Sequence, residues 1–419
     1  MSINHRYGLK AILRLLPLLL LASNVSGQTS GTNCDLEDRT VETQVELDRL
    51  STCRTLNGDL ILGLDLTNIT IPGLQTIRGD FIAHQGSCES ISAPSLSFVG
   101  GLFYVGNAEN LTTISMPSLA TVGSFRLDTI PNLRTVDFSS QIDSIGDDPA
   151  RSLVIWGTGL DSLAPIIYRN VQNVQINDNP DLKNITLQVQ NVTGGISFRR
   201  NGGPDGAKVS LDQLEWADSL LLDGLNSISI PKLTHINNVL QITANNSFDI
   251  LEFPNLTSIG SSPDPIPGRT QGYLELTFGE KLRRASFPKL QWITDYLQVR
   301  AGPVGAEPNL GAFPVLQTVG QYIDIIGNFT SIDFPKLQAQ NAKSKVSIMS
   351  SDLNCTDFVS QEFFRAGNWS TPIECNGEIY NTTSTKPSSA NMNRSFLGSG
   401  IRSLKLAAGL YLCFLVWLF

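Results

Sequence analysis

The chain has 419 residues, 41% hydrophobic and only 16% charged, with 35 Gly and 21 Pro. So few charges among so many helix breakers exclude a coiled coil or a helical enzyme, and the apolar content excludes disorder. The formal charge of −8 becomes −14, with 24 basic against 38 acidic side chains, once two terminal segments expected to be cleaved take six basic residues with them; such acidity leaves no nucleic-acid footprint.

Residues 1–27 have the layout of a secretory signal peptide. His5, Arg6, Lys10 and Arg14 lead into an apolar run at 15–22 (LLPLLLLA), and a polar end places Val25 and Gly27 before the expected cleavage at Gln28. The run is too short to span a bilayer, which needs ~20 apolar residues. Residues 28–59 read as an N-terminal cap. Within it, residues 38–50 (DRTVETQVELDRL) form the one stretch with helical character, with Val41, Val45 and Leu50 expected on its buried face.

From residue 60 a strand-like unit recurs. Its first apolar residue is Leu60, Phe81, Leu102, Phe125, Leu153, Val174, Ile196, Leu220, Leu240, Leu274, Leu297, Ile323 and Val346. The two long intervals contain insertions at 143–151 (DSIGDDPAR) and 261–272 (SSPDPIPGRTQG). Many units close with Pro-x-Leu-x-x-Ile/Val, as in Pro72–Ile77, Pro94–Val99, Pro117–Val122, Pro231–Ile236, Pro254–Ile259, Pro288–Ile293 and Pro314–Val319. Each unit carries too few apolar residues to bury a core alone, so stability must come from stacking on its neighbours. Proline cannot donate to a ladder and belongs at the corners. The expectation is an all-β, right-handed parallel β-solenoid of about thirteen coils over residues 60–375.

Within Tyr273-Leu-Glu-Leu, Tyr296-Leu-Gln-Val and Tyr322-Ile-Asp-Ile, alternation points Leu274, Leu297 and Ile323 inward. Tyr273, Tyr296 and Tyr322 therefore form one outward column, and Glu275, Gln298 and Asp324 a second beside it. Aromatic and hydrogen-bonding groups on a flat sheet suit a polysaccharide or a protein partner, and a ladder that merely stabilises the coils is the competing expectation. Two steps of ~4.8 Å put Glu275 and Asp324 ~10 Å apart, marginal for a glycosidase pair. The sequence has no Gly-x-Ser-x-Gly elbow, no phosphate-binding glycine loop and no His pair at metal-ligand spacing, so no catalytic residue, metal or cofactor is expected. His235, inside a Pro-x-Leu-x-x-Ile corner, reads as a solvated corner residue.

Residues 376–393 form a Ser/Thr-rich stalk. The end, 394–419, combines a spacer at 396–405 with fourteen apolar residues at 406–419 (LAAGLYLCFLVWLF). Small residues, spacer and apolar tail specify attachment of a glycosylphosphatidylinositol (GPI) anchor. Asn393 is the expected attachment residue, with Ser389 and Asn391 as alternatives. Cys413 leaves with the tail. The remaining cysteines are expected to bridge as Cys34–Cys53 and Cys355–Cys375, with Cys88 left over. Glycosylation sequons stand at Asn68, Asn110, Asn184, Asn191, Asn245, Asn255, Asn328, Asn354, Asn368 and Asn381, the mark of a secreted glycoprotein.

The opening Cys53-Arg-Thr-Leu-Asn-Gly-Asp-Leu-Ile-Leu62 resembles the Cys-x-x-Leu-x-Gly-x-Leu-x-Ile start of receptor L-domains. With the Pro-x-Leu coils, the C-terminal cysteine pair, the stalk and the anchor signal, residues 34–419 resemble the fungal GPI-anchored, L-domain-like cell-wall organisation proteins, which include sporulation-specific wall proteins. The resemblance implies a non-catalytic role in wall assembly and integrity, at the extracellular face of the plasma membrane or within the wall. Its implied partners are the outer leaflet, wall glucan and other wall proteins. A receptor-like ligand-binding module and a wall-polysaccharide enzyme are the alternatives. Against this pattern Cys88 is the odd residue, and a Cys53–Cys88 bridge is the competing connectivity.

Overall fold

The structure is a computed structural model that describes residues 34–35, 40–84, 86–138, 142, 151–164, 166, 171–244, 249–260, 272–279, 284–301, 309–310, 312–338, 345–361, 364 and 372–380. The signal peptide, nearly all of both insertions, residues 381–393 of the expected stalk, the anchor signal with Ser389, Asn391 and Asn393, and the sequons at Asn245, Asn368 and Asn381 lie outside the described residues.

Among the described residues, thirteen strands stack in parallel as the body of the main ladder, from Leu60–Leu62 and Phe81–His84 to Tyr322–Ile326 and Lys345–Met349, and Thr40–Val41 and Ile373–Cys375 extend it in parallel at its two ends. Thirteen strands make about twelve full turns of a β-solenoid. The period-2 alternation sets the register, because a one-residue slip would turn every buried side chain to the outside. Inward residues such as Leu153, Val174, Ile196, Leu220, Leu240, Leu274 and Leu297 are all fully buried.

Most of the described coils contribute to further ladders. One stacks the second apolar pair, with Ile69, Ile91 and Ile114 buried one above another. The other stacks the closing Ile or Val of the proline motif, as in Ile77, Val99 and Val122 and again in Ile236, Ile259 and Ile293. Between these two the prolines occupy tight turns. In several of these turns the leucine amide donates to the carbonyl before the proline: Leu96 to Ala93 at 3.2 Å, Leu119 to Met116 at 3.0 Å and Leu290 to Phe287 at 3.3 Å. Proline sits second in such a turn because its ring pre-sets φ. In the later coils the residue before it is phenylalanine, and Phe253, Phe287, Phe313 and Phe334 stack through the interior with centroids 5.2, 5.1 and 5.9 Å apart.

Where the main ladder turns toward the second, six successive coils place a residue in the left-handed region: Asn107, Thr129, Gly157, Asp178, Arg200 and Gly224. The following residue points inward, and three of these are polar. Thr158 donates from N and Oγ1 to Asn179 Oδ1 at 3.0 and 2.7 Å. The Asn179 amide NH2 donates to Ile155 O at 3.1 Å, and Asn201 donates to Ile176 O at 2.6 Å. All three are buried, and their mutual bonds satisfy groups whose desolvation would otherwise be costly.

Three expectations need correction. Phe103, not Leu102, is the inward residue of its coil, opposite Phe81 and Phe125. Gly100 and Gly101 lengthen the approach, the Leu102 amide donates to Asp80 Oδ1 at 2.8 Å, and the Phe103 ring stacks between its neighbours at 5.0 and 5.2 Å. The capping helix is shorter than the pattern suggests, Gln44–Leu50, because Thr43 and Glu46 form a capping box at its start. Leu47 and Leu50 are its buried residues, while Val45 is 61% exposed and Val41 sits in a strand. His235 is half-buried in the strand His235–Ala244 rather than solvated at a corner, with Nδ1 2.5 Å from Ser258 Oγ, and burial pushes its pKa down.

Disulfides join Cys34 to Cys53 and Cys355 to Cys375, while Cys88 is a buried free thiol. At the far end the parallel ladder closes with Ile373–Cys375, and residues 376–380, expected to open the stalk, instead turn back so that Glu378–Tyr380 pairs with it in antiparallel sense and Tyr380 is buried.

Candidate binding face

The register places the two expected columns as the alternation requires. Leu274, Leu297 and Ile323 are partners on adjacent strands, so Glu275, Gln298 and Asp324 line up outside them. Tyr296 is opposite Tyr322. The rings of Tyr273 and Tyr296 stack at 4.5 Å, and those of Tyr296 and Tyr322 at 4.7 Å, with planes 9° and 5° apart. The ring faces are therefore used on one another, and what the ladder offers outward is ring edge and hydroxyl.

Burial within this stack pushes all of the Tyr296 phenol's titration upward, reinforced by its two tyrosine neighbours and Glu275. Tyr322 is pushed up to about 12, first by burial and then by Asp324, Glu275 and Asp295. Both hydroxyls are thus neutral hydrogen-bonding groups at any physiological pH. Glu275 is raised by burial and partly restored by the Arg300 guanidinium.

Gln298 is the deepest member of the second column, buried, with its amide donating to Asp324 Oδ2 at 2.9 Å. It joins Asp324 and separates it from Glu275. Sequence reasoning missed Arg300, which follows Gln298 by two residues and so shares its outward parity. Arg300 Nε is buried and without a hydrogen-bond partner. It also missed Asp295, a buried carboxylate that accepts from Gln321 Nε2 beside the tyrosines.

Of the described sequons, Asn68, Asn110, Asn184, Asn191 and Asn354 are exposed, while Asn255 and Asn328 are half-buried. Asn68 and Asn184 lie in short strands of the second ladder and Asn191 opens a strand on the third. Asn354 caps the helix Cys355–Val359.

No protein-family model and no solved structure matches the chain. Among curated proteins it is similar to the cell wall protein ecm33 of Schizosaccharomyces pombe, 29% identical over 252 residues, which covers 59% of this chain and 57% of that protein. Protein ecm33 of Aspergillus fumigatus is 27% identical over 332 residues, 78% of this chain and 77% of that one. The cell surface GPI-anchored protein ECM33 of Candida albicans is 25% identical over 253 residues, 59% of each chain. The match therefore spans less than two thirds of the Schizosaccharomyces and Candida proteins.

Proposed function

We propose, from the premise that the chain is a relative of the fungal ecm33 cell-wall proteins, that it is a non-catalytic, N-glycosylated scaffold of the fungal cell surface that supports wall organisation. A GPI anchor attached at Asn393 holds it to the outer leaflet, with part of the population passing into the wall. Its partners are wall glucan or other wall proteins, met on the face that carries Tyr273, Tyr296, Tyr322, Glu275, Gln298 and Asp324.

The observation that most supports a non-catalytic reading is the position of Gln298. Glu275 and Asp324 are two strands apart, ~10 Å at ~4.8 Å per step, and an inverting glycosidase would need a water between them. Gln298 fills that interval and spends its amide on Asp324.

Deletion of the gene, followed by growth on wall-binding dyes and analysis of wall polysaccharides, tests the reading. Hypersensitivity and an altered wall are expected, and an unchanged wall would sink it. The anchor is tested separately by removing residues 406–419. The truncated chain should pass to the medium as a glycosylated soluble protein, whereas a mature protein that still contains Trp417 by mass spectrometry would contradict anchoring.

A further inference from the structure

Far from the tyrosine ladder, the same outer face carries a second group of side chains. Trp156 points outward from the strand Ser152–Thr158 between the inward Ile155 and the corner at Gly157. At 44% exposure it is the only exposed Trp, Tyr or Phe among the described residues. Its partners on the adjacent strands are Asp128 on one side and Asn177 on the other.

Behind Asp128 the polar groups are already bonded into place. Arg126 donates from Nε and Nη2 to Asp128 Oδ2 at 3.2 and 2.5 Å, and its guanidinium lies 5.5 Å from the Tyr104 ring centre. The Tyr104 hydroxyl is 3.1 Å from His84 Nδ1. A Cβ at Gly106 would come within 2.5 Å of that hydroxyl, so the glycine is what lets Tyr104 lie across its neighbour. Trp156 is thus flanked by hydrogen-bonding groups held rigid by one another, and ligand binding there orders few further side chains.

Two further observations narrow the ligand. Acid and base alternate and cancel along this side: Arg126 with Asp128, Arg200 with Asp178, and Arg199 opposite Asp223. A charged polymer gains nothing from such a surface. In addition, none of the described sequons lies in the part of a strand that pairs on the main ladder; Asn191 opens the strand Asn191–Arg199 at its third-ladder end, and the others lie on the second ladder, in turns and at the cap of the C-terminal helix. Glycans attached at those sites leave this face bare.

We propose that the outer face around Trp156 is a subsite for a neutral polysaccharide chain running along the solenoid axis. The apolar face of one sugar ring stacks on the Trp156 indole, and Asp128 and Asn177 bond the hydroxyls of that ring and its neighbours. The strand step of ~4.8 Å is close to the length of one sugar residue, so a chain on this axis meets a fresh strand with every residue. This rests on the scaffold reading's wall-glucan partner and adds a second subsite, away from the tyrosine face, and the test measures retention of purified protein, independent of wall phenotype.

Full-length protein extracted from membranes is mixed with insoluble linear β-glucan, with chitin and with acidic alginate. Wild type should be retained by a neutral polymer. Trp156→Ala should weaken that retention at least about tenfold, while Trp156→Phe stays within about threefold. Leu64→Ala, an exposed apolar site elsewhere, should behave as wild type, and equal unfolding midpoints show that the fold is kept. A second measurement needs no variant: soluble oligosaccharides of the retained polymer should protect the Trp156 peptide of wild type from indole oxidation. Failure of wild type to bind either neutral polymer, Trp156→Ala binding as wild type, Trp156-dependent retention on alginate, or no protection of the indole would each overturn the proposal.

Discussion

Tyr296 lies face to face with Tyr322, their ring centroids 4.7 Å apart and their planes 5° from parallel. Tyr273 repeats the relationship on the other side at 4.5 Å, so the middle ring has an aromatic partner on each face. Tyr296→Phe should keep both stacks and change stability by less than ~0.5 kcal/mol, whereas Tyr296→Ala should lose ~1–3 kcal/mol. Urea denaturation followed by far-ultraviolet circular dichroism separates the two. An alanine variant as stable as wild type would remove the ladder from the account of coil stability.

The same stack makes the fold sensitive to alkali. Folding raises the Tyr322 phenol from 10.0 to about 12, so the native state keeps its proton after the unfolded chain has lost it. Stability from this source is intact below about pH 10 and falls as pH climbs toward 12. Thermal midpoints measured across that window should drop, and Tyr322→Phe should flatten part of the drop. A midpoint that is level through the window in wild type would contradict the burial of this hydroxyl.

Asn179 holds its part of the interior by bonds to Thr158, Ile155, Asn177 and Asn201. Asn179→Ala removes these and leaves several buried partners unsatisfied, for an expected loss of ~2–4 kcal/mol. The double variant Asn179→Ala with Asn201→Ala should cost less than the sum of the singles, because the two share bonds. Additive losses in a double-mutant cycle would show that the residues act independently.

Cys88 should be chemically silent in the native protein. It is fully buried, its thiol donates weakly to Ser90 O at 3.6 Å, and burial pushes its pKa up to about 11. Thiolate is the reactive form, so both its scarcity and its inaccessibility slow labelling. Maleimide should modify Cys88 in denaturant and not before it; rapid labelling of Cys88 in the folded protein would place it at a surface.

Much of this architecture was legible because the chain repeats one decision. Leu274, Leu297 and Ile323 could be recognised as inward from alternation alone, and the tyrosine and Glu275/Gln298/Asp324 columns followed by parity. Leu102 was misread because the glycine pair before it inserts an extra residue within the strand Phe98–Gly106, between Val99 and Leu102, and this bulge shifts the alternation by one. Trp156 and Arg300 were available by the same parity count, from Leu153 and Leu297, yet neither belongs to a run of like residues that draws the eye. The depth of Gln298 was not legible, since burial on an outer face depends on what the neighbouring strands hold over it. Nor was the Thr158–Asn179–Asn201 network, which needs the left-handed corner before each residue to turn a polar side chain inward.

A parallel solenoid is, physically, a short length of fibre: any coil could in principle accept another copy of itself on its last edge, and unfinished edges of this sort recruit other chains. Here the final parallel strand, Ile373–Cys375, is tied by Cys375 to Cys355 and then covered by its own antiparallel return, Glu378–Tyr380, with Tyr380 buried against it. The reversal breaks the rule that every earlier coil obeys. A second molecule arriving in parallel register finds a strand of the wrong direction, so this edge does not continue the parallel stacking.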